Sequence, residues 1–212
     1  MGKYIVLLFS LVFLASCTGV VTNTSPTQNT SGATVGIVID APTYGSGTHQ
    51  IEYYADFQCP ACINFSHTFL PVLEELAAAG KATITYKQFP LTRIHKNAYR
   101  DSLAFYCAVE QNGKFMDYKK ALYALEEKKA GATVSDDERV AAADGLGIDT
   151  VKFSSCLKEN TYAASVDRDV ADGDAARVNA TPTVILDGTK LDFSIFSTVD
   201  DFKSQMDRIL SK

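Results

Sequence analysis

The 212-residue sequence contains no tryptophan, only three histidines and no excess of basic residues. Its 20 lysines and arginines are outnumbered by 25 aspartates and glutamates, which gives a formal net charge of −5. Because binding to a nucleic-acid backbone requires a basic surface, this balance argues against nucleic acid as a partner. Apolar residues make up 46% of the chain, as in an ordinary packed domain, and the length favours one such domain over two.

The sequence also lacks an apolar run long enough to span a bilayer, which takes about 20 residues. A shorter apolar run, residues 4–14, follows Lys3 and has the length of an export signal. It ends in the sequence LASC, which resembles the lipobox of bacterial lipoproteins and implies acylation of Cys17. We therefore predict that residues 1–16 are a lipoprotein signal peptide. The alternative is an ordinary signal peptide that leaves Cys17 as a free thiol.

The segment after Cys17 has no charged residue and no periodic apolar face. Such a segment cannot bury enough apolar surface to offset the entropy lost on ordering. We predict that residues 17–36 form a flexible tether from the lipid and that residues 37–212 form the folded domain. The protein would then lie outside the cytoplasm, in the periplasm or on the outer face of the cell membrane.

The domain has strand-like segments at both ends and a helical block between them. The segments rich in β-branched and aromatic residues predict strands at residues 35–40, 50–57, 82–89 and 183–186. The dipeptide Asp187-Gly188 predicts a hairpin turn after the last of these.

Periodic apolar positions predict a helix that begins at Cys59, is kinked at Pro71 and ends near Gly80. Later helices are predicted within residues 95–179, one of them with a capping box at Ser135, and a final helix is capped by Thr198. The fold class is therefore α/β.

Reactive chemistry is concentrated in Cys59-Pro60-Ala61-Cys62, where a predicted strand meets a predicted helix. Unpaired N–H groups and the helix dipole stabilise a thiolate at a helix N-terminus, which predicts a low pKa for Cys59. Pro60 suits the first helical turn, because its missing N–H would have no partner there. We predict that Cys59 is the nucleophile and that Cys62 resolves the mixed disulfide.

Two other interpretations of this pair remain open. Half of a zinc site would need a second pair of similar spacing, whereas Cys107 and Cys156 are 49 residues apart. A purely structural disulfide this short would contribute little to stability. Outside the cytoplasm, Cys107 and Cys156 are expected to form a structural disulfide, and two buried free thiols are the alternative.

An ordered set of motifs resembles the DsbA branch of the thioredoxin superfamily. The set consists of Phe57-Gln58-Cys59-Pro60-Ala61-Cys62, Phe89-Pro90-Leu91, Gln111-Asn112-Gly113-Lys114-Phe115 and Ala180-Thr181-Pro182-Thr183. The resemblance covers residues 36–212. It implies a thioredoxin fold with a helical domain, at about residues 92–179, inserted before the cis-proline strand.

The resemblance also implies roles for individual residues. The redox-active disulfide of Cys59 and Cys62 would serve as the reactive group without a further cofactor or metal. Thr181-Pro182 would be a cis-proline loop whose backbone pairs with an extended substrate segment. Substrate is expected to contact this loop and the residues between the cysteines, namely Pro60, Ala61, Thr181 and Pro182.

Three residues depart from the family pattern. Many members have an acidic residue at the position of Tyr53, so a proton relay there is in doubt. Ala61 cannot stabilise a thiolate as the histidine of some members does. Thr181 is shared with isomerases, which leaves the oxidising strength open.

Of the remaining polar residues, His95 is expected to be a helix cap or packing residue and Asp56 is a weaker candidate for tuning the thiol.

These features predict an extracytoplasmic thiol:disulfide oxidoreductase that introduces disulfides into reduced, exported polypeptides. The family implies reoxidation by a quinone-linked membrane protein of the DsbB or vitamin K epoxide reductase-like kind. A reductase or isomerase is the alternative within the same chemistry. Reductases often have tryptophan before the first cysteine, whereas this chain has Gln58 there. Isomerases usually add a dimerisation module, whereas this chain is expected to be a monomer. A non-enzymatic binding lipoprotein is a third possibility, against which the intact cysteine pair argues.

Overall fold

The computed structural model describes residues 37–111 and 113–210. The expected signal peptide, Cys17 and the whole of the tether lie outside this range. Strands in the described part of the chain are β1 Thr43–Gly45, β2 His49–Ala55, β3 Ala82–Gln88, β4 Thr183–Leu186 and β5 Thr189–Lys190. They form one sheet in the order β1-β3-β2-β4-β5. The β2 and β3 strands are parallel, and the other neighbours are antiparallel.

Helices surround this sheet and fill the long connection between β3 and β4. They are α1 Pro60–His67, α2 Leu70–Ala78, α3 Ala98–Val109, α4 Phe115–Lys129, α5 Asp136–Ala143, α6 Thr150–Glu159, α7 Ala163–Ala175 and α8 Val199–Ile209. A short 3₁₀ helix, Phe193–Ile195, precedes α8. Among residues 37–111 and 113–210, no helix has both the length and the apolar character needed to cross a membrane.

The central strand β2 is covered on both faces where it approaches Cys59. Tyr53 and Tyr54 point to opposite faces, as successive strand residues do, and both are about 1% exposed. Tyr53 belongs to the main core, which the sheet shares with the helices, whereas Tyr54 packs edge-on against Phe89 in a smaller cluster. The strand that leads into the cysteine motif is therefore fixed from both sides.

The predicted strand at residues 35–40 is wrong within the described part of the chain, because residues 37–40 have no regular secondary structure and the edge strand is Thr43–Gly45. Side chains of α7 bind this segment instead of a neighbouring strand. The N–H of Ile39 donates to the Ser165 hydroxyl at 2.9 Å, and its carbonyl accepts from Arg168 at 2.5 Å. Both polar groups of the Ile39 backbone are thus satisfied outside the sheet.

The single kinked helix predicted after Cys59 is two helices, α1 and α2, with the break at Thr68 and Phe69. The break precedes Pro71 because a proline ring clashes with the carbonyl one turn earlier. Gly80 ends α2 as predicted, with a φ of +74° and the paired hydrogen bonds of a Schellman motif. The predicted capping box at Ser135 and the cap at Thr198 are also confirmed.

Candidate redox site

Cys59 lies at the N-terminal cap of α1, and Pro60 occupies the first helical turn. Cys59 has an extended backbone conformation, and its N–H donates to the Asp56 carbonyl at 3.1 Å while its carbonyl accepts from Ile63 at 3.0 Å. The Cys59 side chain is 7% exposed, whereas Cys62, one turn further along, is completely buried. Both are free thiols in this structure. One sulfur is thus close to the surface and the other is shielded behind it.

The two thiols have opposite electrostatic environments. A hydrogen bond from Cys62 makes the largest contribution to lowering the pKa of Cys59, and burial opposes it. The Thr181 side chain and the backbone N–H groups of Cys62 and Ala61 also contribute, so that the pKa of Cys59 falls to about 5. Burial raises the pKa of Cys62 well above its ordinary value. At neutral pH, Cys59 is therefore a thiolate and Cys62 a thiol.

The loop before β4 completes the surroundings of Cys59. The Thr181–Pro182 peptide bond is cis, as the resemblance implies, and the carbonyl oxygen of Thr181 lies 3.4 Å from the sulfur of Cys59. Antiparallel pairing of β4 with β2 places Thr183 opposite Tyr54, at the end of β2 that leads to the cysteines. The hydroxyl of Thr181 is buried and has no other hydrogen-bond partner among the described residues, so its hydrogen is available to the Cys59 thiolate.

Tyr53 occupies the position at which a proton relay would need an acidic residue. Its hydroxyl lies 3.1 Å from the hydroxyl of Tyr123 on α4, and both side chains are buried. Burial raises the pKa of each phenol well above its ordinary value, so both remain neutral. The buried group here is therefore a neutral phenol pair that joins the sheet to the helical block.

Sequence reasoning missed a buried hydrogen-bond network that begins next to Cys59. The side-chain oxygen of Gln58 accepts from the backbone N–H of Asn97 at 2.8 Å. The Asn97 amide in turn donates to both carboxylate oxygens of Glu126, at 3.0 and 3.2 Å. The two hydrogen-bonded pairs are 39 and 29 positions apart in the sequence. No local pattern signals their contact.

Asp56 and His95 also have a more specific arrangement than the sequence predicted. Asn97 is the N-cap residue of α3, so of the two roles expected for His95, helix cap or packing residue, the cap is wrong. His95 binds the buried carboxylate of Asp56 at 2.7 Å instead. The same carboxylate accepts from the backbone N–H groups of Gln58 and Leu91, at 2.8 and 2.9 Å. Asp56 therefore holds the loop that carries Cys59.

Cys107 on α3 and Cys156 on α6 form a disulfide, with an S–S distance of 2.02 Å and a Cα–Cα distance of 5.9 Å. Because these cysteines bind each other, they are not available to complete a zinc site with Cys59 and Cys62. Within residues 37–111 and 113–210, no group of three or more histidine, cysteine or acidic side chains is arranged to hold a metal ion.

Comparison with solved structures supports the assignment of the fold. BdbD and DsbA are two examples with the same fold. BdbD from Bacillus subtilis matches with a TM-score of 0.70 at 17% identity, over 84% of this chain and 99% of that chain. DsbA from Mycobacterium tuberculosis matches with a TM-score of 0.64 at 20% identity, over 82% of this chain and 89% of that chain.

A curated relative is similar over a shorter region. The Na(+)/H(+) antiporter NhaA 1 of Mycolicibacterium gilvum is 28% identical over 139 residues, which are 65% of this chain and 21% of the antiporter. This chain thus spans about a fifth of the length of the curated relatives that it matches. Residues 44–208, well over half of the chain, match the family described as Thioredoxin. The chain therefore belongs to the thioredoxin family, and its fold, with a helical domain inserted before the cis-proline strand, is the one seen in the BdbD and DsbA structures.

Proposed function

We propose that this protein is a thiol:disulfide oxidase that transfers the Cys59–Cys62 disulfide to reduced, exported polypeptides. The observation that carries the proposal is the position of Cys59 at the N-terminal cap of α1, with Cys62 buried behind it, where the pKa of Cys59 falls to about 5. A thiolate that is stabilised in the reduced protein makes the disulfide easier to reduce, and therefore a stronger oxidant. The value lies between those of thioredoxin, about 7, and DsbA, about 3.5.

The reaction follows from the positions of the two sulfurs. A substrate thiolate attacks Cys59, the more exposed sulfur, and Cys62 leaves as the departing thiolate. A second substrate thiolate then displaces Cys59 and closes the substrate disulfide, which leaves both cysteines reduced. Pro60, Ala61, Thr181 and Pro182 border Cys59 and would contact the substrate. In this proposal the backbone of the cis-proline loop pairs with an extended substrate segment.

The proposal includes a cellular location and a partner that reoxidises the cysteine pair. Acylated Cys17 and the tether of residues 17–36 would hold the domain of residues 37–212 outside the cytoplasm. A quinone-linked membrane protein of the DsbB or vitamin K epoxide reductase-like kind would restore the disulfide. The export signal in the sequence supports this location. Replacing Cys17 with serine should move the protein from the membrane fraction to the soluble extracytoplasmic fraction, and unchanged membrane attachment would contradict the lipid anchor.

The reduction potential of the Cys59–Cys62 pair tests the direction of the reaction. We expect equilibration with glutathione buffers to give a value between those of thioredoxin, about −270 mV, and DsbA, about −120 mV. A potential at or below that of thioredoxin would overturn the oxidase proposal in favour of a reductase.

A trapping experiment tests the substrate class. The Cys62→Ser variant should accumulate mixed disulfides between Cys59 and exported proteins, because the resolving thiol is missing. The Cys59→Ser/Cys62→Ser double variant is the control and should trap none. A Cys62→Ser variant that traps no exported protein would contradict the proposed role in disulfide formation.

A further inference from the structure

His95 is held next to the redox site by a completely buried carboxylate. Nδ1 of His95 lies 2.7 Å from Oδ2 of Asp56, which is 0% exposed. Oδ1 of Asp56 accepts from the Gln58 N–H at 2.8 Å, and Oδ2 also accepts from the Leu91 N–H at 2.9 Å. Both oxygens therefore accept backbone N–H groups, which is the arrangement of an ionised carboxylate. Its position, and with it the orientation of the imidazole ring, is fixed.

This arrangement determines which nitrogen of His95 can accept a proton. Nδ1 donates its hydrogen to the carboxylate, so Nε2 of the neutral ring has a lone pair. Nε2 has no hydrogen-bond partner among the residues that the structure describes. A carboxylate that orients an imidazole in this way leaves the other ring nitrogen ready to act as a general base.

His95 lines a groove of about 700 Å³ that begins at the cysteine motif. Gln58 and Pro60, the residues on either side of Cys59, line the same groove. Its apolar wall includes Ile63 on α1 and Ile94, whose side chain is 73% exposed. A polypeptide bound in this groove would contact both His95 and the two residues that flank Cys59.

The other titratable groups that line the groove are engaged differently. His67 on α1 pairs with Glu127 on α4 at 3.3 Å, and both side chains are more than half exposed. The Glu126 carboxylate accepts the Asn97 amide and is buried. Lys96 is a cation and cannot accept a proton. Of the two imidazoles in the groove, His95 is the one oriented by a buried carboxylate.

His95 is also not needed to activate Cys59. The largest contributions to the low pKa of Cys59 come from Cys62, Thr181 and the backbone around them, and not from His95. The oriented lone pair of His95 is thus available to a group that comes from outside. In an oxidase, the group that must lose a proton before it reacts is the thiol of the substrate.

We propose that His95, oriented by Asp56, is the general base that takes the proton from the substrate thiol as it attacks Cys59. This inference rests on the proposed oxidase function. The proton passes to Nε2 of His95, and the substrate sulfur forms a bond with the Cys59 sulfur. The Cys59–Cys62 bond breaks at the same time, and its electron pair leaves with Cys62. The substrate sulfur is oxidised and the Cys59–Cys62 disulfide is reduced.

The size of the effect has an upper limit set by the substrate. A cysteine thiol has a pKa of about 8.5, so about 3% is ionised at pH 7. Complete deprotonation by a local base can therefore raise the rate of attack by at most about 30-fold. The advantage disappears at a pH where the substrate is already ionised. Replacing a residue with a purely structural role would slow the reaction equally whether or not the substrate thiol is ionised.

The experiment compares the oxidised full-length protein with its His95→Gln variant. Glutamine can still donate to Asp56 but cannot accept a proton. Single-turnover oxidation of a dithiol peptide is followed by acid quenching and chromatography between pH 6 and pH 10. We expect the variant to be up to about 30-fold slower at pH 7 and equal to the unchanged protein above about pH 9.5. The matched control is His49→Gln, which removes an imidazole that pairs with Asp187 at the same distance of 2.7 Å.

A second substrate separates the chemical role from a structural one. A selenocysteine analogue of the peptide is ionised at pH 7, so His95→Gln should oxidise it as fast as the unchanged protein does. Equal losses on both peptides, or no loss on the thiol peptide at pH 7, would overturn the role of His95 while the oxidase function stands. If the unchanged protein oxidises neither peptide, the proposed function fails, and the inference about His95 fails with it.

Discussion

The sulfur of Cys59 lies 3.4 Å from the carbonyl oxygen of Thr181, although 122 residues separate the two along the chain. Helices α3 to α7 lie between them in the sequence, and the pairing of β4 with β2 brings the two together. The side chain of Thr181 also lowers the pKa of Cys59, so the surroundings of this thiol are assembled from both ends of the domain. The following predictions concern that environment and the stability of the domain around it.

The Thr181→Val variant should have a higher pKa at Cys59, because valine cannot donate a hydrogen bond to the thiolate. A hydrogen bond to a charged group contributes about 1.5–3 kcal/mol, which corresponds to a rise in the pKa of about one to two units. Titration of the thiolate absorbance at 240 nm measures the change. Thr181→Ser keeps the hydroxyl and is the control. A value for Thr181→Val equal to that of the unchanged protein would show that the hydroxyl does not reach the sulfur.

The same titration should give a midpoint of about 5 for Cys59 in the unchanged protein. Replacing Cys62 with alanine removes the donor that contributes most, so the midpoint should rise by one unit or more, on the order expected for a charge-assisted hydrogen bond. Cys62→Ser retains a donor in the same place and should have a lower midpoint than Cys62→Ala. Identical midpoints for the two variants would contradict the hydrogen bond between the cysteines.

Stability of the reduced protein should depend on pH through Cys59. Folding lowers this pKa to about 5, so ionisation of Cys59 stabilises the reduced fold. The stabilisation is complete when the pH is above the ordinary thiol pKa, and it is lost as the pH falls through 5. At pH 7 the contribution is about 3 kcal/mol. In urea denaturation, the reduced wild-type protein should therefore have a larger free energy of unfolding than Cys59→Ser at pH 7. The difference between the two should disappear by pH 4. A difference that does not change with pH would disagree with the lowered pKa.

The Cys107–Cys156 disulfide should stabilise the fold without affecting the redox pair. It closes a loop across a separation of 49 residues, for which the loop-entropy relation gives about 4 kcal/mol. The Cys107→Ala/Cys156→Ala variant should unfold at a correspondingly lower urea concentration, while its Cys59 titration is unchanged. A shifted Cys59 midpoint would instead reveal coupling between the two cysteine pairs.

Several features could be predicted from the sequence because their signals are local. The cap of α1 by Cys59, the Schellman end at Gly80 and the capping box at Ser135 depend on residues within one or two helical turns. Local signals also misled, for example in the β-branched segment around Ile39, which has the composition of a strand. Its backbone groups are taken by side chains of α7, a contact that the segment itself does not encode.

The sequence by itself determined the reactive chemistry, since a Cys-x-x-Cys motif between a strand and a helix places one thiol close to the surface and the other behind it. Only the tertiary structure decided which groups surround that pair. The Thr181 carbonyl, the Asp56 carboxylate with His95, and the link from Gln58 through Asn97 to Glu126 join residues that lie far apart in the chain. A polar residue carries no local signal of which distant residue it contacts, so these partners are determined by how the helical block packs onto the sheet.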